Sequence, residues 1–452
     1  MTGREPQSST EAGAPAEAGA ADHDAPTVRT RRADAGADSW WAPQHRDGMA
    51  LVLSSGVSSA IGMLFWVLAA RLFDQATLGV NSAALSAVTL LASASHLNMG
   101  NALLRFVPVA ERRRALVAGC FAVGLGWGAV VGLGFGLGAS IWAPDLVATF
   151  GHPAVIAFYL VGVPVWTIFV LQDSALTAIR RAPLVLVENI VFALLKIGLL
   201  VVAAGLGLIG GIALGTMAAT LLVVVVVVGY LARALRTRTT SAPAAGQPVA
   251  ARDLAGFIGI DYAGNVAWQA AVFGLPLIVI ALAGPEGAAV YGVAWQVTYA
   301  LYLVATGMGK SMVAHSAAGD DAAIARARRG MDRKAMTLVL PGATLVAIAS
   351  YYILWVFGSD YAESGAVVLA MLALSAIPNV VTNSALWEAR VRRQRAVQFG
   401  LPAAISAVVI VATLLLVPAV GIVGVGWAWL GAQSVAAAAV LGWRRRTGGR
   451  QR

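Results

Sequence analysis

Twelve long apolar stretches are the feature that most restricts what this sequence can fold into. To within a few residues they cover 49–70, 80–104, 115–142, 154–179, 182–204, 208–232, 254–283, 287–313, 336–358, 364–389, 396–418 and 421–443. Each is close to the roughly 20 residues that a helix needs to cross a bilayer. The runs are too long and too continuous for the alternating strands of a membrane barrel. We predict an all-α, polytopic membrane protein with about 12 transmembrane helices in two six-helix lobes.

Composition excludes several other classes. Hydrophobic residues make up 59% of the chain and charged residues 12%, which is unlike a soluble domain. Cys120 is the only cysteine, so an intramolecular disulfide or a thiolate zinc site is excluded. No ligand spacing connects the histidines, which are His23, His45, His96, His152 and His315. We therefore expect neither a bound metal nor a cofactor.

The distribution of Lys and Arg orients the predicted helices. Of the 32 basic residues, 30 lie in the N-terminal tail, the even-numbered connections between spans or the C-terminal tail. The odd-numbered connections contain only Arg71, and Lys196 lies inside a span. Since cytoplasmic loops collect Lys and Arg, we expect both termini to be cytoplasmic. Topology thus accounts for the net charge of +10, and nucleic acid is not an expected partner.

The longest polar interruption after the tail divides the chain into two halves. Residues 1–48 have almost no aliphatic side chain larger than Ala, which predicts a disordered cytoplasmic tail. An N-terminal six-helix lobe follows over 49–232, and a cytoplasmic inter-lobe loop over 233–253. A C-terminal six-helix lobe covers 254–443, and 444–452 form a basic cytoplasmic tail. Because six helices return to their starting side, duplicated halves would have parallel orientation, with a cleft between them.

Ionisable residues inside spans are costly and usually face a partner or a water-filled cavity. They are Asp173, Glu188, Lys196 and Asp261. Asp173 and Glu188 lie at matching depth on either side of the turn at Arg180. Two interpretations remain open and compatible. A charge network could fix predicted helix 4 to helix 5, with Asp173 pairing with Arg180, or at least one of the four residues could bind substrate phosphate, a proton or a sodium ion.

Polar stripes on predicted helices 7 and 8 indicate a cavity or a helix contact. Asp261, Asn265 and Gln269 recur every four residues and therefore share one face of helix 7. Helix 8 adds two amphipathic rings and an amide, Trp295, Gln296 and Tyr299. These side chains suit contact with a sugar or headgroup, and they serve interhelical packing equally well.

A glycine ridge marks predicted helix 3. Gly124, Gly128, Gly132 and Gly136 recur every four residues, which allows close approach of a neighbouring backbone. We expect this ridge to serve packing. Arg105 at the end of helix 2 could reach an inner vestibule.

Catalytic signatures are weak. Gly309, Lys310 and Ser311 are similar to the end of a phosphate-binding loop, but Val304 stands where that motif requires glycine. The sequence contains no nucleophile elbow. We therefore expect a protein that is not an enzyme.

Several segments resemble one transporter family. They are Ala70-Arg71-Leu72-Phe73, NALLRFVP at 101–108, LQDSALTAIRR at 171–181, VENIVFALLK at 187–196, and 261–296 with its GPEGAAVYGVAWQ sequence. These diffuse helix patterns are similar to polysaccharide or oligosaccharide flippases of the multidrug/oligosaccharidyl-lipid/polysaccharide exporter superfamily. The resemblance covers nearly everything from about residue 49 onward.

This resemblance implies two lobes that open alternately and a polyprenyl-pyrophosphate-linked oligosaccharide as substrate. Basic residues would attract the pyrophosphate, and the candidates are Lys196, Arg105 and Lys310. Amides would contact sugars, with Asn265, Gln269 and Gln296 as candidates. Carboxylates would bind a coupling proton or sodium ion, with Asp173, Glu188 and Asp261 as candidates. Helix 1 has serines such as Ser54 where the lipid II flippases have arginines, which favours surface or exported polysaccharide units as cargo.

Alternative functions remain at this point. The first is a proton- or sodium-coupled drug or metabolite exporter of the same superfamily. The second is a membrane glycosyltransferase or glycan ligase, which the short outer connections disfavour. We expect a monomer in the bacterial cytoplasmic membrane, surrounded by membrane lipids, with a glycan polymerase or glycosyltransferases as candidate partners.

Overall fold

The computed structural model describes residues 61–108, 110–179, 181–237, 260–316, 321–392 and 394–448. Its elements are 14 α-helices. The first eight are α1 (Ile61–Leu72), α2 (Gln75–Ser95), α3 (Met99–Phe106), α4 (Arg113–Trp142), α5 (Pro144–Phe150), α6 (His152–Ala178), α7 (Ala182–Gly205) and α8 (Gly211–Thr237). The remaining six are α9 (Ile260–Ser316), α10 (Asp321–Ile348), α11 (Ser350–Trp355), α12 (Ser359–Val391), α13 (Arg395–Val420) and α14 (Val423–Gly448).

Within these ranges, nine helices are long and apolar enough to cross a membrane. One of them, α9, bends at Gly284, where φ is +73° and Pro285 follows, so it has two limbs. The shorter α1 and the apolar second half of α10 correspond to two further predicted spans. The prediction of an all-α polytopic membrane protein with about 12 transmembrane helices in two lobes is confirmed.

The predicted second span, 80–104, is wrong in detail, since it consists of two helices. The chain breaks between α2 and α3, where Leu97 and Asn98 have φ values of 45° and 55°. Asn98 also accepts a hydrogen bond from the Asn101 amide at 2.7 Å, which stabilises the turn. The long helix of this span therefore ends at Ser95, and α3 is a separate short helix.

Charged segments are more helical than the sequence suggests. The predicted connection before residue 336 is helical from Asp321, and Arg328 and Asp332 pair at 3.0 Å across one turn. Helix α8 continues to Thr237, and α14 continues through Arg444 to Gly448. The tail at 1–48 and most of the loop at 233–253 lie outside the described residues.

The two lobes meet mainly along α2 and α9. Gly79 in α2 is so close to the second limb of α9 that a Cβ there would overlap the Pro285 carbonyl oxygen. Near the other end of α2, the Gln269 amide donates to Ser93 Oγ at 3.2 Å. Contact along the whole of α2 makes this helix the seam between the lobes.

A second inter-lobe contact involves Arg71, at the end of α1. Its Nε and Nη2 donate to the carbonyl oxygens of Val356 and Trp355, each at 2.9 Å. These carbonyls lie at the end of α11, where a cation is favoured by the helix dipole. The one basic residue of the predicted outer connections therefore joins the lobes on that side.

The glycine ridge of α4 packs against α6, as predicted. A Cβ at Gly128 would lie 2.9 Å from Pro164 Cα, and one at Gly136 would lie 2.8 Å from Ile156 Cα. At Gly132 a Cβ would overlap the Tyr159 carbonyl oxygen. The ridge therefore brings the two backbones into direct contact.

We predict that Gly132→Ala destabilises the protein, because the new Cβ cannot fit against Tyr159. Overpacking of this kind costs about 1–3 kcal/mol. Gly134→Ala is the matched control, since nothing lies within 4 Å of a Cβ there. Thermal unfolding of the reconstituted protein measures both, and equal melting temperatures for the two variants would contradict the packing role of the ridge.

Candidate functional site

A polar cavity of about 320 Å³ lies within the C-terminal lobe. Its walls come from both limbs of α9, from α12 and from the start of α13. The lining residues that can form hydrogen bonds are Asn265, Trp268, Gln269, Tyr299, Tyr302, Thr306, Asn379, Thr382, Asn383, Trp387, Arg390 and Gln398. A polar chamber of this size inside an apolar lobe is typical of a small-ligand site.

An aromatic cluster fixes the α9 wall of the cavity. Trp429 of α14 is fully buried, stacks on Trp295 at 4.5 Å between ring centroids and meets Trp268 edge-on at 5.7 Å. Tyr302 donates to or accepts from Ser375 Oγ at 2.8 Å. Trp268 and Tyr302 therefore present preformed surfaces to the cavity.

The α12 wall is built from amides and hydroxyls. Thr382 Oγ1 donates to Gln433 Oε1 at 2.9 Å, which ties α12 to α14. Asn383 Nδ2 lies 3.4 Å from Thr306 Oγ1 on the opposite wall. Asn379 lies one turn earlier on the same face and is 3% exposed.

Trp387 and Arg390 complete the lining near the end of α12. The Arg390 guanidinium lies 4.3 Å from the centre of the Trp387 ring, a cation–π distance. Trp387 fits only because residue 309 is glycine, since a Cβ at Gly309 would overlap the indole. The glycine of the Gly309-Lys310-Ser311 sequence thus has a packing role.

An apolar groove lies beside the polar cavity. Its volume is about 490 Å³, and α12, α13 and α14 form it. Leu401 and Ile405 line both the groove and the cavity. Exposed Val408 and Val435 lie on its walls, so the groove faces the membrane side of the lobe.

An ion-pair network lies at one end of this groove. Glu388 Oε2 is 3.1 Å from Arg328 Nε and 3.5 Å from Arg444 Nη2, and Glu388 Oε1 is 3.1 Å from Arg392 Nε. Arg444 Nη1 is also 3.8 Å from Asp332 Oδ2. Among the described residues, the network joins α10, α12 and α14 and contains three guanidinium groups and two carboxylates.

Two of the predicted sugar-contacting amides line the cavity. Asn265 and Gln269 lie on its α9 wall, together with Tyr299. Gln296 does not line it, and Trp295 belongs to the buried aromatic cluster. The helical period explains the difference, because Trp295 and Tyr299 follow one face of the second limb and Gln296 is rotated away from it.

The predicted N-terminal residues form a separate group. The Lys196 ammonium lies over the Phe65 ring at 4.2 Å and 5.3 Å from the Phe192 ring centre. Glu188 is buried on α7 and accepts a hydrogen bond from Gln172 of α6. Asp173 lies beside the Glu188 carboxyl group. The link between α6 and α7 agrees with the predicted connection of these two spans.

Three further candidates cannot be placed. Arg105 lies in α3, and Asp261 and Lys310 lie near the two ends of α9, but their side chains lie outside the described residues. Arg180, the proposed partner of Asp173, is outside them as well.

Sequence reasoning missed the α12 and α13 walls of the site. Asn379, Asn383 and Trp387 recur every four residues and share one helix face. This stripe was the available signal, and it has the same period as the stripe recognised on α9. That the α12 stripe faces the same cavity as the α9 stripe depends on tertiary packing, which cannot be predicted from the period of either stripe.

Solved structures share this fold. The lipid II flippase MurJ in an inward closed conformation matches with a TM-score of 0.64, at 10% identity over 88% of this chain and 87% of MurJ. An inward-facing MATE family multidrug transporter of the MOP superfamily matches with a TM-score of 0.57, at 16% identity over 86% and 94% of the two chains. The MATE multidrug transporter DinF-BH gives 0.55 at 15% identity over 86% and 94%.

No family model and no curated protein matches the sequence. Because each of these structures is at most 16% identical to the chain, the likeness shows a shared fold. It leaves the substrate open.

We predict that Glu388→Gln destabilises the C-terminal lobe. Removing one charge from a partly buried network leaves its partners uncompensated, at a cost of up to about 3–5 kcal/mol. Glu363→Gln on the same helix is the control, because Glu363 is exposed. The melting temperature should fall only for Glu388→Gln, and an unchanged value would show that the network contributes nothing to stability.

Proposed function

We propose that the protein is a flippase that moves a polyprenyl-pyrophosphate-linked oligosaccharide or polysaccharide unit across the bacterial cytoplasmic membrane by alternating access of its two lobes. The observation that carries this proposal is the shared wall of Leu401 and Ile405. A polar chamber on one side of this wall and an apolar groove on the other suit a ligand with a hydrophilic head and a hydrocarbon tail.

The polar cavity would hold part of the glycan, and the groove would hold the polyprenyl chain. Amides and indoles in the cavity match hydroxyl groups and sugar ring faces. The groove is apolar along α13 and α14, and a chain lying there remains in contact with the bilayer.

A cluster of guanidinium groups at one end of the groove supports a phosphate in that place. The network around Glu388 contains three arginines and two carboxylates. In the predicted topology this end is cytoplasmic, where such a substrate would be loaded. Lys196, Arg105 and Lys310 remain candidates for pyrophosphate contact elsewhere on its path.

The seam along α2 supports alternating access. Arg71, Gly79 and Pro285 close the lobes together on the predicted outer side. Both termini would be cytoplasmic in this arrangement. Opening of that side requires Arg71 to leave two carbonyl oxygens, so the closed state has a specific, breakable contact.

The carboxylates Asp173, Glu188 and Asp261 are candidates for ion coupling. In the described part of the chain, Asp173 Oδ1 and Glu188 Oε2 are buried and accept no hydrogen bond. Two adjacent carboxyl groups with free acceptor atoms suit a shared proton or a sodium ion.

The transport test uses proteoliposomes that contain a short-chain, fluorescent polyprenyl-pyrophosphate-linked oligosaccharide. Gly400→Leu should lower its translocation about tenfold, because the new side chain fills the groove. Gly431→Leu is the matched control outside the groove. A Cβ meets nothing within 4 Å at either position, so both variants should fold. Transport of a lipophilic cationic dye without transport of the glycan would instead establish the drug exporter.

We further expect Asp173→Asn to remove the dependence of glycan transport on an imposed proton or sodium gradient, because one of the two carboxyl groups is lost. Asp145→Asn is the control, since Asp145 begins the short helix α5 away from this pair. Unchanged gradient dependence in Asp173→Asn would exclude this residue from coupling.

A further inference from the structure

Two amide oxygens on the α12 wall have no hydrogen-bond partner among the residues that the structure describes. They are Oδ1 of Asn379 and Oδ1 of Asn383, and both are buried. The two residues are one helical turn apart and both line the polar cavity. Because a buried unpaired acceptor costs free energy, its presence requires an explanation.

Buried asparagine is fully paired elsewhere in the described chain. Asn81 in α2 donates to the carbonyl oxygens of Thr77 at 2.8 Å and Ile209 at 2.7 Å. Its Oδ1 accepts from the Ala213 amide at 3.0 Å. Asn81 therefore serves the fold, whereas the oxygens of Asn379 and Asn383 contribute no contact to it.

The surroundings of these oxygens define a ligand chemistry. Trp268 and Trp387 bring indole rings to the same cavity, and Thr306 and Gln398 bring further polar groups. Unpaired acceptors call for a ligand that donates hydrogen bonds, and indole faces favour apolar C–H surface. A pyranose ring offers both, with hydroxyl groups on its edge and C–H groups on its faces.

Formal charge is sparse in this cavity. Arg390 is the one charged residue among those that line it in the described part of the chain, and its guanidinium lies over Trp387. Because the polar groups that Asn379, Thr382 and Asn383 bring to the α12 wall are amides and a hydroxyl, the site around them suits an uncharged group.

We propose that Asn379 and Asn383, with Trp268 and Trp387, form a binding site for an uncharged, hydroxyl-rich pyranose ring. The terminal torsion of asparagine is soft, so a small rotation turns either oxygen toward the cavity to accept a sugar hydroxyl. This inference deepens the proposed function, on which its physiological meaning rests, by naming the sugar chemistry that the C-terminal lobe recognises.

Binding can be tested without transport. The protein is reconstituted in nanodiscs, which avoids sugar-based detergents, and its tryptophan fluorescence is titrated with methyl glycosides of glucose, galactose, mannose and N-acetylglucosamine. At least one should give a saturable change. Asn379→Leu and Asn383→Leu should each weaken that binding about tenfold, as expected for a lost hydrogen bond to the ligand.

The melting temperature provides a second readout. If the two amides had a structural role, their replacement would lower it. Asn379→Leu replaces an amide whose oxygen is unpaired with an apolar side chain of similar shape, so the melting temperature should stay constant or rise. Asn383→Leu also removes the 3.4 Å contact of Nδ2 with Thr306 Oγ1, which offsets part of that gain. Asn81→Leu is the control, and it should lower the melting temperature while leaving glycoside affinity unchanged.

Several outcomes would overturn the proposal. Binding of glucuronate without any neutral glycoside would indicate an anion site at Arg390, and stabilisation by sodium alone would indicate a cation site. A lower melting temperature with unchanged glycoside affinity in both leucine variants would show that the amides are structural. Glycoside binding without glycan translocation would reject the proposed transport function alone, and translocation without glycoside binding would reject this inference alone.

Discussion

Pairing of polar groups inside an apolar medium is the constraint on which this structure depends. The interior of a membrane has no water to pair with a donor or acceptor, so the backbone forms helices, in which its own N–H and C=O groups bond to each other. Side chains follow the same rule. Thr167, Thr216 and Thr220 each donate to the carbonyl oxygen four residues earlier. Pairing is incomplete at several buried atoms of the described residues, among them the oxygens of Asn379 and Asn383 on the α12 wall and of the Asp173–Glu188 pair.

Close backbone contact occurs both within the N-terminal lobe and between the lobes. Glycines between α4 and α6 leave no room for a side chain, so these helices move as one body. The seam between lobes combines one such contact, Gly79 with Pro285, with a few hydrogen bonds such as those of Arg71. Hydrogen bonds exchange partners readily, whereas interlocked backbones do not. The α2–α9 seam is nevertheless closely packed along its length and shares one hydrophobic core with both lobes, so separation of the lobes has to break packing as well as hydrogen bonds.

Much of the architecture could be predicted from the sequence because hydrophobic length and glycine period are local properties. The spans and the ridge from Gly124 to Gly136 follow from them, and the four-residue period of Asn265 and Gln269 predicts that these two residues share one helix face. The low hydrophobicity of the charged segment before residue 336 predicts a connection. Its helix is stabilised by contacts of Arg328 with Asp332 and Glu388, and the contact with Glu388 depends on tertiary packing. Asn379 and Asn383 were missed because they become cavity residues only through packing against α9, about a hundred residues earlier in the chain.

All residues that line the cavity belong to the C-terminal lobe, and this limits how far ligand binding can shift the balance between two conformations. In the proposed cycle the lobes rotate as rigid bodies, so the cavity walls formed by α9, α12 and α13 would move together. The affinity of the cavity for a sugar would then be the same in both orientations. A ligand with equal affinity for two states cannot shift the balance between them. Direction must then come from parts of the cargo outside the cavity or from an ion gradient. In the proposed transport cycle, a site within one lobe would select the cargo, and the free energy for its movement would come from elsewhere.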